Sequence, residues 1–358
     1  MVYRAQLDGL RAVAVAAVAW SHWERPYTFG LQFGAGVHLF YVLSGFLITG
    51  ILLRVRDEAD RGGALQAFYI RRALRIFPAF YLTLLLAWWA DVPPLRESLG
   101  WHLAYLSNVF TFVRGEWPGA ISHFWSLAVE EQFYLIWPWL IVFARRQWIV
   151  PGVMVAIVIG PAFRWWLASH GYRESMLGVL TPGCLDSLGV GALLAIAGPG
   201  FKPLALLAAI IPLAGVQTAQ GIGVALPPPV IAIKGTLQAC VFGWFVVRAA
   251  AGFEGVAGRL LSSRPVVYVG RISYGAYLAH GFAGAMAWGL FTAFGWGWPL
   301  PEPWRFLVLC ALTIGVAALS WHCFEAPVNA MKAAFPYVRV TRSAAPAPGP
   351  LAQPQAQG

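Results

Sequence analysis

From Gly36 to Leu53 the chain reads GVHLFYVLSGFLITGILL, eighteen residues without one Asp, Glu, Lys or Arg. An uncharged apolar stretch of about 18 residues or more is long enough for a helix that crosses the hydrocarbon core of a bilayer. Backbone N–H and C=O groups find no water there, so the segment must satisfy them within a helix. This run therefore predicts a membrane-spanning helix.

Similar runs occur along most of the chain. Ten of them approach the roughly 20 residues that a spanning helix needs, at about 6–24, 33–53, 76–92, 123–143, 148–168, 180–198, 203–219, 230–250, 267–291 and 304–324. The sequence thus predicts an all-α, polytopic membrane protein with about ten transmembrane helices. No internal repeat is evident, which disfavours a transporter because many transporters are built from repeats.

The composition excludes an ordinary soluble domain. Hydrophobic residues make up 59% of the 358 residues and charged residues only 11%, whereas a soluble domain carries about 25% charged residues. So few charges cannot cover a water-facing surface of this size, but a lipid-facing surface needs none. The net charge of +10 does not indicate a nucleic-acid partner, because the basic residues form short clusters between the apolar runs.

The distribution of these clusters predicts the orientation of the chain. If both termini are cytosolic, the segments on that side contain 18 of the 25 Lys and Arg residues, as the positive-inside rule requires. We expect one transmembrane domain over residues 1–335 and a disordered cytosolic tail over residues 336–358. The tail is rich in Pro, Ala, Gly and Gln and has no periodicity, a composition that does not form a packed core.

Ionisable residues inside apolar runs are costly in lipid and are therefore candidates for function. The first run contains Asp8, Arg11 and His22. On a helix Asp8 lies one turn from Arg11, and His22 returns to the same face about 16.5 Å further along. This stripe would present a cation near the cytosol and an imidazole, a common general base, deeper in the membrane. Alternatively, Asp8 and Arg11 form a helix-end ion pair and His22 lies at the interface.

Three arginines precede the third run. Arg71, Arg72 and Arg75 lie just before Ile76, and Arg72 and Arg75 share one helix face. Guanidinium groups form forked hydrogen bonds with phosphate oxygens, so this pair suits a ligand with several phosphates. Arginines in such a position also set topology and contact lipid headgroups, and the spacing alone does not separate the two interpretations.

Two adjacent carboxylates, Glu130 and Glu131, lie in the fourth run. Glu130 shares a helix face with Ser126 and Tyr134, while Glu131 points about 100° away. Exposing either carboxylate to lipid would have a high free-energy cost. Three roles remain open for Glu130: it could orient His22, bind an acceptor hydroxyl or brace neighbouring helices.

Polar residues also occur in the second and ninth runs. The ninth carries Ser273, Tyr277 and His280 at i, i+4 and i+7, a stripe that either lines a site or joins helices in lipid. The second run contains His38 near its outer end and the small residue Gly45 in its middle. A glycine at that place lets another helix backbone approach closely.

Together these segments resemble the acyltransferase family 3 proteins, which are integral membrane O-acyltransferases. In chain order, the residues that carry the resemblance are Leu7-Asp8-Gly9-Leu10-Arg11 with His22, the run from Gly36 to Thr49, Arg72-x-x-Arg75-Ile76-x-Pro78, the run from Trp125 to Tyr134, the run from Ile272 to Leu278 with His280, and Glu325-x-Pro327. Six motifs in order, spread over residues 5–327, are far more specific than any one of them. Two departures stand out: His38 replaces the usual Asp, and the usual proline two residues after the ninth-run histidine is Phe282.

The resemblance implies ten helices, a cytosolic acyl-CoA donor and delivery of the acyl group toward the outer face of a bacterial cytoplasmic (inner) membrane. The acceptor would be a hydroxyl of a carbohydrate such as exopolysaccharide, lipopolysaccharide or another surface glycan, or alternatively a macrolide or other small metabolite. Some members carry a fused extracytoplasmic domain, and we expect this chain to be the stand-alone form. No permanently bound cofactor or metal is expected, since acyl-CoA, most simply acetyl-CoA, would be a co-substrate.

These residues suggest a mechanism in which CoA phosphates bind at the cytosolic side and the pantetheine arm reaches up to His22. The expected donor-binding residues are Arg11, Arg71, Arg72 and Arg75; the expected catalytic residues are His22, Glu130 and Asp8; and the expected acceptor-binding residues are Ser126, Tyr134, His38, Tyr277 and His280. Transfer would be direct or would pass through an acyl-histidine. A sugar or lipid transporter or flippase, and a non-catalytic scaffold, are the alternatives from other classes.

Overall fold

The computed structural model describes residues 4–23, 27–28, 31–198, 201 and 203–337. Within these ranges the chain is helical apart from one short antiparallel ladder, in which Tyr27 pairs with Gln32 and Thr28 with Leu31. The elements are α1 (Ala5–Trp23), β1 (Tyr27–Thr28), β2 (Leu31–Gln32), α2 (Gly36–Asp57), α3 (Arg61–Trp89), α4 (Leu95–Leu103), α5 (Ser107–Arg114), α6 (Phe124–Phe143), α7 (Arg146–Ser169), α8 (Leu185–Ala197), α9 (Ile210–Gly221), α10 (Pro228–Ala251), α11 (Gly255–Leu261), α12 (Arg264–Arg271), α13 (Ser273–Ala279), α14 (Ala283–Ala293), α15 (Trp304–Ser320) and α16 (Ala326–Ala330). Short 3₁₀ segments lie at Phe33–Ala35, Gly119–Ile121, Glu174–Met176, Thr181–Cys184, Pro203–Ala209, His280–Phe282 and Met331–Ala334, and a π segment lies at Trp321–Glu325.

The uncharged run from Gly36 becomes α2, which lies at the centre of the bundle. It packs against α1, α3, α6, α8 and α10, and side chains such as Ile48 and Leu52 are fully buried. A helix that is apolar on all sides is expected to be surrounded by other helices. The residues around the candidate site are therefore held by a helix at the centre of the bundle.

The most extensive helix contact, between α2 and α8, depends on glycines from both helices. A side chain at Gly45 would collide with the carbonyl oxygen of Leu188, and one at Gly191 would collide with that of Val42. Small residues at such a contact let two backbones approach closely in lipid. The close helix approach predicted at Gly45 is confirmed.

Five helical segments in the described ranges are long and apolar enough to cross a membrane, namely Gly36–Asp57, Arg146–Ser169, Pro203–Gly221, Pro228–Ala251 and Trp304–Ala334. Large apolar side chains on the outside, such as Ile136 and Ile211, are mostly exposed, which suits contact with lipid. The all-helical membrane architecture is thus confirmed. The other five predicted runs are also helical, but they are shorter, interrupted or less apolar, so ten crossings and two cytosolic termini stay predictions. Most of the predicted tail, residues 338–358, lies outside the described residues.

The ninth predicted run is not one continuous helix. A 3₁₀ turn over His280–Phe282 separates α13 from α14, although the turn contains no proline. Gly281 packs there so closely that an added side chain would meet the carbonyl oxygen of Ala120 and the ring of His123. The turn places the imidazole of His280 beside the rings of His22 and His123.

Candidate active site

A cavity of about 100 Å³ lies among α1, α2, α3, α6 and α13. We call it the arginine cavity, and its walls include Arg11, Ser44, Arg72, Arg75, Ser126, Glu130, Glu131, Tyr134, Ser273, Tyr274 and Tyr277. Seven of the predicted site residues are in this set, and they come from four different helices. The structure thus brings together three of the four predicted donor-binding arginines and, of the three predicted catalytic residues, Glu130.

Arg72 and Arg75 reach the arginine cavity from α3 and lie against aromatic rings. The guanidinium carbon of Arg72 is 5.3 Å from the ring centre of Tyr134, and that of Arg75 is 5.8 Å from the ring centre of Trp321. Among the described residues, neither guanidinium has a hydrogen bond or an ion pair. Stacking on an aromatic face orients a guanidinium and leaves its N–H donors free. Both arginines are therefore positioned to bind an anionic group.

Arg11, the third arginine of the cavity, is held by a carboxylate. Its Nη1 donates to Oδ1 of Asp8 at 2.7 Å, and the side chain of Asp8 is only 9% exposed. The helix-end ion pair that the sequence left open is therefore present. Asp8 is not part of the cavity wall, and its contact with the site runs through Arg11.

Arg71 does not line the arginine cavity, contrary to the expectation that it joins Arg72 in binding the donor. Its Nη1 donates to the carbonyl oxygens of Lys332 and Phe335 at 2.8 and 3.1 Å, and its guanidinium lies 4.7 Å from the ring centre of Tyr337. Consecutive helix residues point about 100° apart, so Arg71 and Arg72 face different neighbours. Arg71 joins α3 to the end of the described chain.

Glu130 forms a polar chain with α2. Ser44 Oγ donates to Glu130 Oε1 at 2.6 Å, and the hydroxyl of Tyr134 donates to Ser44 Oγ at 3.0 Å. Of the three roles left open by the sequence, the structure shows the contact between helices. The proposed contact of Glu130 with His22 is not formed, since the partner of His22 is another histidine.

His22 and His280 form a hydrogen-bonded pair with a defined proton arrangement. Nδ1 of His22 lies 2.8 Å from Nε2 of His280, and Nδ1 of His280 lies 2.6 Å from the carbonyl oxygen of Tyr277. A carbonyl only accepts, so neutral His280 carries its proton on Nδ1 and accepts at Nε2 from the Nδ1–H of His22. Nε2 of neutral His22 is then unprotonated, which is the form that a general base requires.

Tyr277 connects this histidine pair to the arginine cavity. Its backbone carbonyl accepts from His280, and its hydroxyl lies 2.5 Å from Ser126 Oγ in the cavity wall. The same hydroxyl donates to the carbonyl oxygen of His123 at 3.2 Å. One residue therefore holds the histidine pair on one side and contributes a hydroxyl to the arginine cavity on the other.

His22 lines a second cavity, of about 490 Å³, at the other end of α1. We call it the histidine cavity, and its walls include Ser21, His22, Ala35, His38, Trp117, Trp125, Arg164, Glu174, Lys234 and Gln238. His38 is part of this wall, with Nδ1 2.8 Å from Ser187 Oγ. Arg11 and His22 are separated by about 16.5 Å along the helix. The sequence predicted one site, and the structure divides nine of its twelve residues between two cavities.

A buried ion pair at the wall of the histidine cavity was not predicted from the sequence. Arg164 Nη2 lies 2.6 Å from Asp186 Oδ2, and the two side chains are 5% and 0% exposed. Arg164 also donates to the carbonyl oxygens of Ala232 and Gly183 and to Thr236 Oγ1. The available signal was the charge itself, because each partner interrupts an apolar run and such residues are candidates for a role in the bundle interior.

The described helices and cavities define an integral membrane protein that presents free guanidiniums in one cavity and a base-competent imidazole in the wall of another. The chain belongs to acyltransferase family 3, whose acyltransferase domain matches residues 4–322. The resemblance noted from the motifs is thereby confirmed. No solved structure matches the chain.

Relatives with names are found in several bacteria. The peptidoglycan O-acetyltransferase OatA of Listeria monocytogenes serovar 1/2a is 28% identical, over 91% of this chain and 56% of the relative. The putative peptidoglycan O-acetyltransferase YrhL of Bacillus subtilis is 28% identical, over 90% of this chain and 54% of the relative. A putative O-acetyltransferase of Staphylococcus aureus is 32% identical over 40% of this chain and 25% of its own. The chain thus spans about half the length of the first two relatives.

Proposed function

We propose that this chain is a membrane O-acyltransferase that moves an acyl group, most simply acetyl, from cytosolic acyl-CoA to a hydroxyl group of a carbohydrate. The observation that carries the proposal is the hydrogen-bonded pair of hydroxyls of Ser126 and Tyr277, which lies between two groups of residues. On one side lie two arginines without a polar partner among the described residues, and on the other lies the His22–His280 pair. The names of the relatives, which include peptidoglycan O-acetyltransferases, support a sugar hydroxyl as the acceptor.

The arginine cavity is the donor site in this proposal. Arg72 and Arg75 bind phosphate oxygens of CoA through their N–H groups, and Arg11, held by Asp8, adds a third positive charge. The cavity is narrow, so the bulky nucleotide stays at its mouth while the pantetheine arm extends inward. The thioester then approaches the hydroxyls of Ser126 and Tyr277.

Proton transfer is assigned to His22. Its Nε2 takes the proton of the acceptor hydroxyl as that oxygen attacks the thioester carbon. The hydroxyl of Ser126 or Tyr277 donates to the oxygen that gains negative charge, in place of its hydrogen bond to the carbonyl oxygen of His123. The carbon–sulfur bond then breaks, and the CoA thiolate receives the proton from the imidazolium. His280 positions His22 in the required tautomer. A two-step transfer through an acyl-His22 intermediate would use the same atoms, and CoA release in the absence of acceptor would distinguish it.

The topology that fits this reaction has ten crossings with both termini in the cytosol. Arg72 and Arg75 then lie in the cytosolic half of α3, and His22 lies at the outer end of α1, so donor and acceptor enter from opposite sides. In a bacterium this is the cytoplasmic membrane. In a cysteine-free background, a membrane-impermeant maleimide should label Ser175→Cys but not Ala59→Cys in spheroplasts. The opposite pattern would refute the orientation.

Replacing the proposed base tests the function directly. The variant His22→Ala should lose transfer from radiolabelled acetyl-CoA to a glycan, while the protein stays folded in the membrane and is still stabilised by CoA. His280→Ala keeps the base but removes its hydrogen-bond partner, so kcat should fall about 10- to 100-fold with the donor KM unchanged.

Two outcomes would contradict this assignment. Transfer retained by His22→Ala would exclude the imidazole as the base. Sugar flux into proteoliposomes without acyl-CoA would favour the transporter alternative over an acyltransferase.

A further inference from the structure

The histidine cavity contains a buried amide that the described structure leaves without a partner. Gln238 projects from α10 into the cavity wall and is only 2% exposed. Within the described ranges its side chain forms no hydrogen bond. Because the amide lines the cavity and makes no hydrogen bond within the described structure, it is available to a ligand that both donates and accepts hydrogen bonds.

The same cavity has an aromatic wall. The rings of Trp117 and Trp125 are 6.0 Å apart between centroids and inclined at 57°, and both line the cavity. Trp117 is 43% exposed, so part of its ring remains accessible. A flat apolar surface next to a few hydrogen-bonding groups suits a ligand with one apolar face and a polar edge. A pyranose ring has this character, since its C–H groups form a face and its hydroxyls an edge.

Charges in the histidine cavity are already balanced within the protein. Arg164 pairs with Asp186 at 2.6 Å, and Lys234 Nζ pairs with Glu174 Oε1 at 2.5 Å. Both cations that the described residues contribute to the wall are thus neutralised. This differs from the arginine cavity, where Arg72 and Arg75 form no close ion pair in the described part of the chain. An uncharged ligand fits the histidine cavity better than a carboxylate or a phosphate.

The dimensions and position of the cavity agree with a sugar acceptor. Its volume of about 490 Å³ is within the roughly 300–1,000 Å³ of small-molecule sites. His22, whose Nε2 is free to accept a proton, belongs to the same wall. A sugar in the cavity would therefore have a hydroxyl within reach of the base.

We propose that the histidine cavity binds an uncharged pyranose ring of the acceptor, which stacks on Trp125 and is selected by Gln238. The proposal rests on the proposed function, because it names the acceptor class of that reaction. Gln238 acts as a specificity-determining residue: a sugar that lacks the matching polar group would leave the amide unpaired and would bind poorly.

The test is saturation-transfer difference NMR on the full chain in lipid nanodiscs, with methyl β-glucoside and methyl β-glucuronide as probes. The two probes share a ring but differ in one carboxylate. We expect ring-proton signals from the glucoside and about tenfold weaker binding of the glucuronide. Gln238→Leu should weaken glucoside binding about tenfold, the effect of one lost hydrogen bond. Gln147→Leu, at an exposed position on α7, is the matched control and should bind as the wild type does.

Thermal stabilisation by CoA, measured on the same samples, separates this inference from the proposed function. If the wild type binds CoA but not the glucoside, or binds the glucuronide as tightly, the inference is overturned while the donor site stands. If CoA does not stabilise the wild type, the proposed function fails instead. Unchanged glucoside binding in Gln238→Leu also overturns the inference. Should that variant not fold, Gln238→Asn, which shortens the same amide, is expected to weaken binding several-fold.

Discussion

The arginines inside this bundle include two sets that differ in their hydrogen-bond partners. Arg164 is 4% exposed and donates to Asp186 and to two backbone carbonyls. Arg72 and Arg75, in the described structure, have aromatic rings beside them but no polar partner. A buried guanidinium with satisfied donors belongs to the framework, because its charge is neutralised and its hydrogen bonds are made. A buried guanidinium with free N–H donors beside a cavity is instead suited to bind a ligand that supplies the missing acceptors.

This contrast is invisible in the sequence. All three arginines occur in or next to apolar runs, and each is equally unusual by its charge. The partner of Arg164 is 22 residues away on another helix, and only the packing of α7 against α8 brings the two side chains together. The hydrogen-bond partners of an arginine, and not its position in a run, separate a structural role from a binding role.

The largest expected effect is a loss of stability when Arg164 is replaced. Arg164→Met leaves the carboxylate of Asp186 buried without its partner, so the free energy of unfolding should fall by about 3–5 kcal/mol. The measurement is denaturant unfolding of the purified protein in detergent. Adding Asp186→Leu to the same variant should restore most of the loss, because it removes the uncompensated charge.

Arg72→Met is the matched control for this experiment. Arg72 has no polar partner within the described chain. The free energy of unfolding of the variant should therefore stay within about 0.5 kcal/mol of the wild-type value. If Arg72→Met were as destabilising as Arg164→Met, the distinction between the two sets would be wrong.

A second, smaller effect is expected on donor binding. The double variant Arg72→Gln with Arg75→Gln removes charge-assisted hydrogen bonds worth about 1.5–3 kcal/mol each, so the KM for acetyl-CoA should rise at least about 100-fold. This KM is measured by steady-state kinetics at low ionic strength. The wild-type KM should also rise with salt, although less than for a fully exposed site, because attraction between partly buried charges is only partly screened. A donor KM that does not change would remove both arginines from the site.

The smallest effect is expected at Arg71, next to Arg72 on α3. Arg71→Ala loses two hydrogen bonds to backbone carbonyls, so stability should fall by about 1 kcal/mol with the donor KM unchanged. Thermal unfolding and acetyl-CoA kinetics on one preparation measure both. An increase in donor KM as large as that of the Arg72 variant would return Arg71 to the donor site.

Much of the fold was predictable because its determinants act locally. A long uncharged run must become a helix in lipid whatever surrounds it, and this holds for α2, α7 and α10. The ion pair of Asp8 with Arg11 and the shared face of Arg72 and Arg75 follow from the helical repeat alone. The break at His280 was harder to predict, since the usual proline is missing and the turn depends on contacts of Gly281 with residues far away in the chain.

The membrane class, the helical runs and the residues that resemble acyltransferase family 3 could be read from the sequence. Which of those residues contact one another depends on the tertiary structure. His22 and His280 are 258 residues apart, Glu130 bonds to Ser44 instead of His22, and the predicted site is divided into two cavities. The physical reason is that periodicity specifies which face of a helix a side chain occupies, whereas contacts between helices depend on how their surfaces pack.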